Sequence, residues 1–248
     1  MRKFFIKGNL SAAPLLSADD SHHVKNVLRL KPGDVLCVAD ELGQTAAAEI
    51  KSLEGGQVSL NLTRLTPQRR EPALRVVLGQ GLGKGDKMDF VCQKAVELGA
   101  AAIAPLALER SVARYDAARA RLKQERWQKV VLAAGKQCRR DILPCVYAPM
   151  TLPEALSCFP FDLGIIAYEG ETERGLREIL RGAEARPSSV LLLVGPEGGF
   201  SAAEIKAAEA AGVQRASLGP RVLRTETAAV AALAVIMYEF GDLGEINA

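Results

Sequence analysis

Residues 190–201 read VLLLVGPEGGFS and join an apolar run to a glycine-rich turn. The continuous hydrophobicity of Val190–Val194 is typical of a strand covered on both faces, as in a parallel α/β sheet. Ligands bind such sheets at the carboxyl ends of the strands, where glycines let a backbone approach them closely. The turn therefore predicts either a ligand site or a tight connection to the helix that Ser201 and Glu204 open with a capping box.

Similar strands recur upstream, separated by helical patterns. Leu74–Leu78, Ala101–Leu106 and Leu163–Ala167 are apolar runs of strand length. Strands that alternate with helices indicate an α/β fold, which we assign to residues 73–248. One helical stripe, at spacings of three and four, consists of Met88, Val91, Cys92, Ala95 and Val96.

The first seventy residues follow a different pattern. Apolar and polar residues alternate over residues 58–63, and Asp34–Ala39 follows a Pro-Gly turn, so both segments are predicted strands. A short helix between residues 17 and 28 begins with a Ser-x-x-Asp capping pattern and places Val24, Val27 and Leu28 on one face. A small β-barrel with one helix is expected over residues 1–70, followed by a linker with two prolines at residues 66–72.

Composition restricts the class of protein. The 248 residues are 48% hydrophobic, enough for a sizeable core, and the longest apolar run, Ala228–Tyr238, is shorter than the ~20 residues of a membrane-spanning helix. The N-terminus lacks the apolar segment of a secretory signal, so a cytoplasmic location is expected. Five cysteines without a C-x-x-C pair argue against a zinc or redox site, and we expect no metal.

Positive charge is concentrated in one segment. Arg110–Arg140 contains ten Lys or Arg and two acids, whereas the chain from Asp141 onward has eight basic and fifteen acidic residues. Such a segment is either a face that binds a polyanion or a solvated helix, and charge alone does not separate the two.

A second loop, residues 218–227, reads LGPRVLRTET between a short strand and an apolar helix. Thr225 and Thr227 have a structural explanation, because a threonine can cap the helix that follows. Arg224 and Glu226 have no explanation as simple. They are therefore candidates for chemistry.

These two loops resemble the signature loops of the small-subunit ribosomal RNA uracil methyltransferases, a branch of the SPOUT superfamily. The similarity continues through most of the chain in shorter motifs. They are HVxxVLR (23–29), KM (87–88), QKxxELG (93–99), RWQK (126–129) and QCxR (137–140).

The resemblance implies a PUA-like β-barrel for RNA binding and a C-terminal α/β domain tied in a trefoil knot, which acts as a homodimer. It also implies S-adenosylmethionine (SAM) as methyl donor, and methylation of N(3) of a uridine in 16S rRNA within the small ribosomal subunit. The residues that the resemblance assigns to the donor site are Gly195, Glu197, Gly198, Gly199, Leu218, Gly219, Leu223, Arg224 and Thr225.

The chemistry of uracil suggests roles for two side chains. N(3) must lose its proton before it attacks the methyl carbon, and the resulting charge spreads over two carbonyl oxygens. A guanidinium would stabilise that charge, so Arg224 is the catalytic candidate. Glu226 either accepts the proton or holds Arg224 in place. For RNA contacts we expect Arg2, Arg29, Arg139 and Arg140, although Arg29 could instead serve the end of its helix.

Two alternatives remain open at this point. One is a SPOUT enzyme that modifies another RNA, such as the ribose or a guanine of tRNA. The other is a catalytically silent RNA-binding assembly protein. Trp127 either stacks on a base or belongs to the core, and the core is the usual place for a lone aromatic residue.

Overall fold

A computed structural model describes residues 2–10, 14–54, 56–66 and 70–245. They form two compact units. The N-terminal unit comprises the described residues up to Glu71 together with Gly135–Leu143, and the C-terminal unit comprises Pro72–Ala134 and the described residues from Pro144 onward. A single boundary near residue 72 therefore does not separate them, because the chain returns to the N-terminal unit after residue 134.

The N-terminal unit is built on one sheet with the strand order β1-β2-β3-β4. Strands β1 and β2 are parallel, and the other neighbours are antiparallel. Alternation places Leu36, Val38, Ile50 and Leu60 in the core of this unit. The strands are β1 (Lys3–Phe5), β2 (Val35–Ala39), β3 (Thr45–Ser52) and β4 (Ser59–Thr66).

The helix of the N-terminal unit departs from the expected stripe. Helix α1 (Ala18–His22) is capped by Ser17, as predicted, and continues into a π-helical turn over His23–Val27. Val24 is buried, but Val27 is 60% exposed. The prediction for Val27 was wrong because it assumed 3.6 residues per turn, whereas the π-helical turn has wider spacing.

The C-terminal unit contains a parallel sheet of six strands in the order β10-β8-β9-β5-β6-β7. The four apolar runs of the sequence lie in β5, β6, β8 and β9, so the parallel α/β sheet is confirmed. The strands are β5 (Arg75–Gly81), β6 (Ala102–Leu106), β7 (Cys145–Val146), β8 (Leu163–Ala167), β9 (Ser189–Val194) and β10 (Val213–Ala216).

Six further helices follow in the part of the chain that the structure describes. The five residues of the predicted stripe are all buried in α2, and Trp127 is 2% exposed in α3, as expected of a core residue. No helix of the described segments is both long and apolar enough to cross a membrane. The helices are α2 (Lys87–Glu97), α3 (Ala117–Cys138), α4 (Leu152–Cys158), α5 (Leu176–Arg181), α6 (Ala202–Ala210) and α7 (Thr225–Glu239).

The path after β10 positions the site. Strand β10 lies at one edge of the sheet, yet the next helix, α7, packs against α2 and against the central strands β5 and β9. The connection between them must therefore run back across the carboxyl ends of the strands. There it meets the connections that leave β8 and β9, because parallel strands all end at the same edge.

Candidate active site

A cleft of about 730 Å³ opens at the carboxyl ends of β8, β9 and β10. Three connections form its walls. We name them the acidic loop (168–172, after β8), the glycine loop (195–200, after β9) and the arginine loop (217–227, after β10 and including the first three residues of α7). Ala228 of α7 and Lys87 complete the lining. Both loops that the sequence singled out thus share one cleft.

Thr225 joins two of these walls inside the protein. Its buried hydroxyl donates a hydrogen bond to the carbonyl oxygen of Gly195 at 2.5 Å and accepts one from Nε2 of Gln80 at 2.7 Å. The same Nε2 reaches the carbonyl oxygen of Gly81 at 3.1 Å. The Thr225 side chain therefore holds the loops together, a more specific role than helix capping.

Gln80 was not among the candidates, and its position explains why. It is 1% exposed at the end of β5, so it reads as part of a buried strand. Its Oε1 has no hydrogen-bond partner among the described residues. An unpaired buried amide oxygen is costly, and the hydrogen bonds that Nε2 donates to Thr225 and to Gly81 offset part of that cost.

Lys87 connects the outer sides of the same two loops. Its ammonium nitrogen lies 2.9 Å from Oε1 of Glu197 and 3.2 Å from Oε2 of Glu226, so this one positive charge pairs with both carboxylates. The hydrogen bond to Glu197 raises the pKa of Lys87. Burial alone would raise the pKa of Glu197, but hydrogen bonds from Lys87 and from backbone N–H groups lower it below its ordinary value.

Arg224 lines the cleft directly before α7. It is the N-cap residue of that helix, its side chain makes no cap hydrogen bond, and it is exposed. Holding Arg224 in place was one of two roles considered for Glu226, whose carboxylate in the structure faces Lys87.

The acidic loop forms a wall that the sequence candidates did not include. Glu171 is 6% exposed, and its Oε1 accepts hydrogen bonds from the backbone of Glu173 and Arg174. Its Oε2 lies 3.1 Å from Nε of Arg215. The N–H of Glu173, together with Arg174 and Arg215, lowers the pKa of Glu171 against the effect of burial. The sequence feature that could have identified this loop as part of the site is its position directly after the buried strand β8.

Comparison with known proteins identifies the family. The model of the RNA methyltransferase domain family matches residues 69–237, and that of the RNA methyltransferase PUA domain family matches residues 16–63. The chain is 34% identical, over 96% of its length and 97% of the relative, to ribosomal RNA small subunit methyltransferase E of Bacillus subtilis. The chain belongs to the ribosomal RNA small subunit methyltransferase E family.

Two solved structures resemble the whole chain. A Legionella pneumophila protein in complex with SAM is 32% identical with a TM-score of 0.87, and it covers 98% of this chain and 99% of its own. Ribosomal RNA small subunit methyltransferase E from Neisseria gonorrhoeae, bound to SAM, is also 32% identical with the same coverage and a TM-score of 0.84. The expected fold, a PUA domain followed along the chain by a SPOUT methyltransferase domain, is thereby confirmed.

Most donor-site candidates of this family lie on the cleft. Gly198 does not. Its carbonyl oxygen accepts a hydrogen bond from Arg110 at 3.3 Å, and a Cβ added to it would meet the Arg110 side chain at 3.0 Å. Gly198 therefore turns toward Arg110 and away from the cleft. The candidates on the cleft are Gly195, Glu197, Gly199, Leu218, Gly219, Leu223, Arg224 and Thr225.

Two positions near the glycine loop require a glycine, one because of a close backbone contact and one because of its backbone conformation. A Cβ on Gly81 would lie 2.4 Å from the backbone nitrogen of Pro196, so only glycine allows β5 to approach the glycine loop this closely. Gly199 has a φ of 68°, in the left-handed region that glycine enters without strain. Both requirements concern the shape of the loop that forms one wall of the cleft.

The four arginines predicted to contact RNA fall into two classes. Arg2, Arg29 and Arg139 are exposed, and Arg29 and Arg139 have positive φ values of 53° and 63°. Arg140 is 5% exposed, and its Nε and Nη2 both reach the carboxylate of Glu71, at 2.9 and 2.6 Å. An RNA phosphate would have to displace Glu71, so the expectation that Arg140 contacts RNA is not retained.

Proposed function

We propose that this protein transfers a methyl group from SAM to N(3) of one uridine in 16S ribosomal RNA. The single observation that supports this most is the shared cleft of the glycine and arginine loops, fastened by the bond between Thr225 and Gly195. The relatives' name supports ribosomal RNA as substrate, and the two similar structures contain SAM.

The cleft suits the donor in size and character. Its volume of about 730 Å³ lies within the usual range for small-molecule sites. Leu218 and Leu223 offer an apolar slot for adenine, and the backbone of the glycine loop can approach the donor closely. The carboxylates of Glu169 and Glu197 lie on the same cleft and suit a cationic ligand. The residues present therefore fit SAM.

When bound, SAM supplies an electrophilic methyl group on its sulfonium sulfur. Arg224 then has the central role among the protein's own groups. Its exposed guanidinium at the cleft can donate hydrogen bonds to the uracil carbonyl oxygens as N(3) gives up its proton to solvent water. Glu226 pairs with Lys87, and we assign it a positioning role in place of proton removal.

RNA binding is assigned to the N-terminal unit. Arg2, Arg29 and Arg139 provide exposed guanidinium groups, which suit phosphates. We assign the PUA-like, RNA-binding domain to residues 1–70 with the returning segment 135–143, and the methyltransferase domain to the remainder from residue 73. The working form that we propose is a cytoplasmic homodimer acting on the small ribosomal subunit.

The decisive experiment incubates the protein with methyl-labelled SAM and small subunits that lack the modification. We expect the label in 3-methyluridine at one position of 16S rRNA. Subunits that already carry the modification are the control and should accept none. Label in a ribose, or in tRNA alone, would identify a different RNA methyltransferase. RNA affinity without SAM binding would identify a silent assembly protein.

A further inference from the structure

Lys87 stands where three separate parts of the C-terminal unit meet. It is the first residue of α2, whereas its partners Glu197 and Glu226 belong to the glycine loop and to the first turn of α7. Glu197 is also held by the backbone N–H of Lys84, at 3.1 Å from its Oε1. One ammonium group thus connects both signature loops to α2.

The ammonium group of Lys87 offsets the repulsion between the carboxylates of Glu197 and Glu226. Both lie within 3.2 Å of the same nitrogen, so their facing oxygens are at most ~6 Å apart, where like charges repel unless a cation screens them. The side chain of Lys87 is 29% exposed and that of Glu226 is 18% exposed, so solvent screens the pair only in part.

Other charged groups on α2 are already paired. Arg126 of α3 binds Asp86 and Asp89, with its Nη2 at 2.8 Å from Asp86. The groups that face Lys87 are therefore Glu197 from the glycine loop and Glu226 from α7.

We propose that Lys87 is a positioning residue, which sets the distance between the glycine and arginine loops by neutralising Glu197 and Glu226, and so fixes the donor cleft. This inference rests on the proposed function in one respect only, namely that SAM occupies the cleft. The residue acts through the two loops, and no contact of Lys87 with the reacting atoms is required.

The test measures SAM affinity by calorimetry for Lys87→Met, Lys87→Arg and a matched control, Lys94→Met. Lys94 lies on the same helix with a similar side-chain exposure of 32%, but it pairs with Glu97 of that helix. We expect Lys87→Met to weaken SAM binding about tenfold, as for other coupled charge pairs. Lys87→Arg should recover most of the affinity, and Lys94→Met should match the wild type.

Two further measurements separate charge from simple packing. If repulsion between the carboxylates causes the defect, adding Glu226→Gln to Lys87→Met should restore part of the lost SAM affinity. For the same reason the defect of Lys87→Met should shrink as the pH falls and one carboxylate takes up a proton. A purely structural role of the lysine stem would give neither effect.

Equal SAM affinity in Lys87→Met and Lys94→Met would overturn the role of Lys87. A Lys87→Met variant that melts at a lower temperature but binds SAM as tightly as the wild type would also overturn it. Failure of the wild type to bind SAM would instead contradict the proposed function itself. The two hypotheses therefore fail in different measurements.

Discussion

Thr225 donates a 2.5 Å hydrogen bond to the carbonyl oxygen of Gly195, and this bond links residues that are thirty positions apart in the chain. Thr225 begins α7, whereas Gly195 directly follows β9. Because Gln80 fixes the same hydroxyl from a third element, the spacing of the two loops is set from inside the protein. The cleft is thus preorganised before any ligand binds.

Thr225→Val should remove this link without changing the side-chain volume. The Gly195 carbonyl and the Gln80 amide would each lose a buried partner, so we expect a loss of about 1–3 kcal/mol in the free energy of unfolding, with weaker SAM binding. Denaturant unfolding and calorimetry measure the two effects. Thr227→Val, at an exposed position of the same turn, is the control and should change neither.

Arg224→Ala should bind SAM as the wild type does but lose turnover by about 100-fold or more, because the charge on the uracil oxygens is no longer stabilised. Single-turnover methylation of small subunits measures this loss. Arg224→Lys retains the positive charge but lacks the planar guanidinium that can donate two parallel hydrogen bonds, so it should recover only a small part of the lost turnover. Normal turnover of the alanine variant would remove Arg224 from the mechanism.

Glu171→Gln should destabilise the protein in a pH-dependent way. The pKa of Glu171 is lowered in the folded state, so its contribution is present above the unfolded-state pKa and is lost as the pH falls through the folded-state value. The difference in unfolding free energy from the wild type should therefore be largest near neutral pH and shrink in acid. Glu173→Gln, an exposed neighbour, should show no such trend.

Glu71→Ala should loosen the N-terminal unit. It leaves the buried guanidinium of Arg140 without its carboxylate, at an expected cost of about 3 kcal/mol or more. Hydrogen exchange localises the effect within the chain, and the amides of β2 and β3 should exchange faster. The exposed Glu54→Ala is the control. Unchanged exchange in β2 and β3 would show that the ion pair contributes little.

Arg29→Ala and Arg139→Ala should each weaken RNA binding and reduce its salt dependence by about one released counterion. Affinity for a 16S rRNA fragment, measured over a series of salt concentrations, tests both. SAM affinity should remain that of the wild type, because neither residue lines the cleft. If binding keeps its full salt dependence in both variants, RNA must contact the protein elsewhere.

Local patterns predicted much of the fold because they depend on neighbouring residues. Val190–Val194 is apolar throughout and forms the buried strand β9, and Met88 and Val91 mark the buried face of α2. The same reasoning missed the π-helical turn at Val27, where the spacing of the helix changes. It also missed the paired state of Arg140, because Glu71 is distant in sequence.

By itself the sequence determined the strand and helix types, the glycine loop, the arginine loop and the family, since each of these is written in contiguous residues. Only the tertiary structure decided which side chains meet in the cleft. Lys87 faces Glu197 and Glu226, Gln80 faces Thr225, and the acidic loop closes the third side. The physical reason is that a parallel sheet brings the ends of distant strands to one edge, and no periodicity in the chain encodes those encounters.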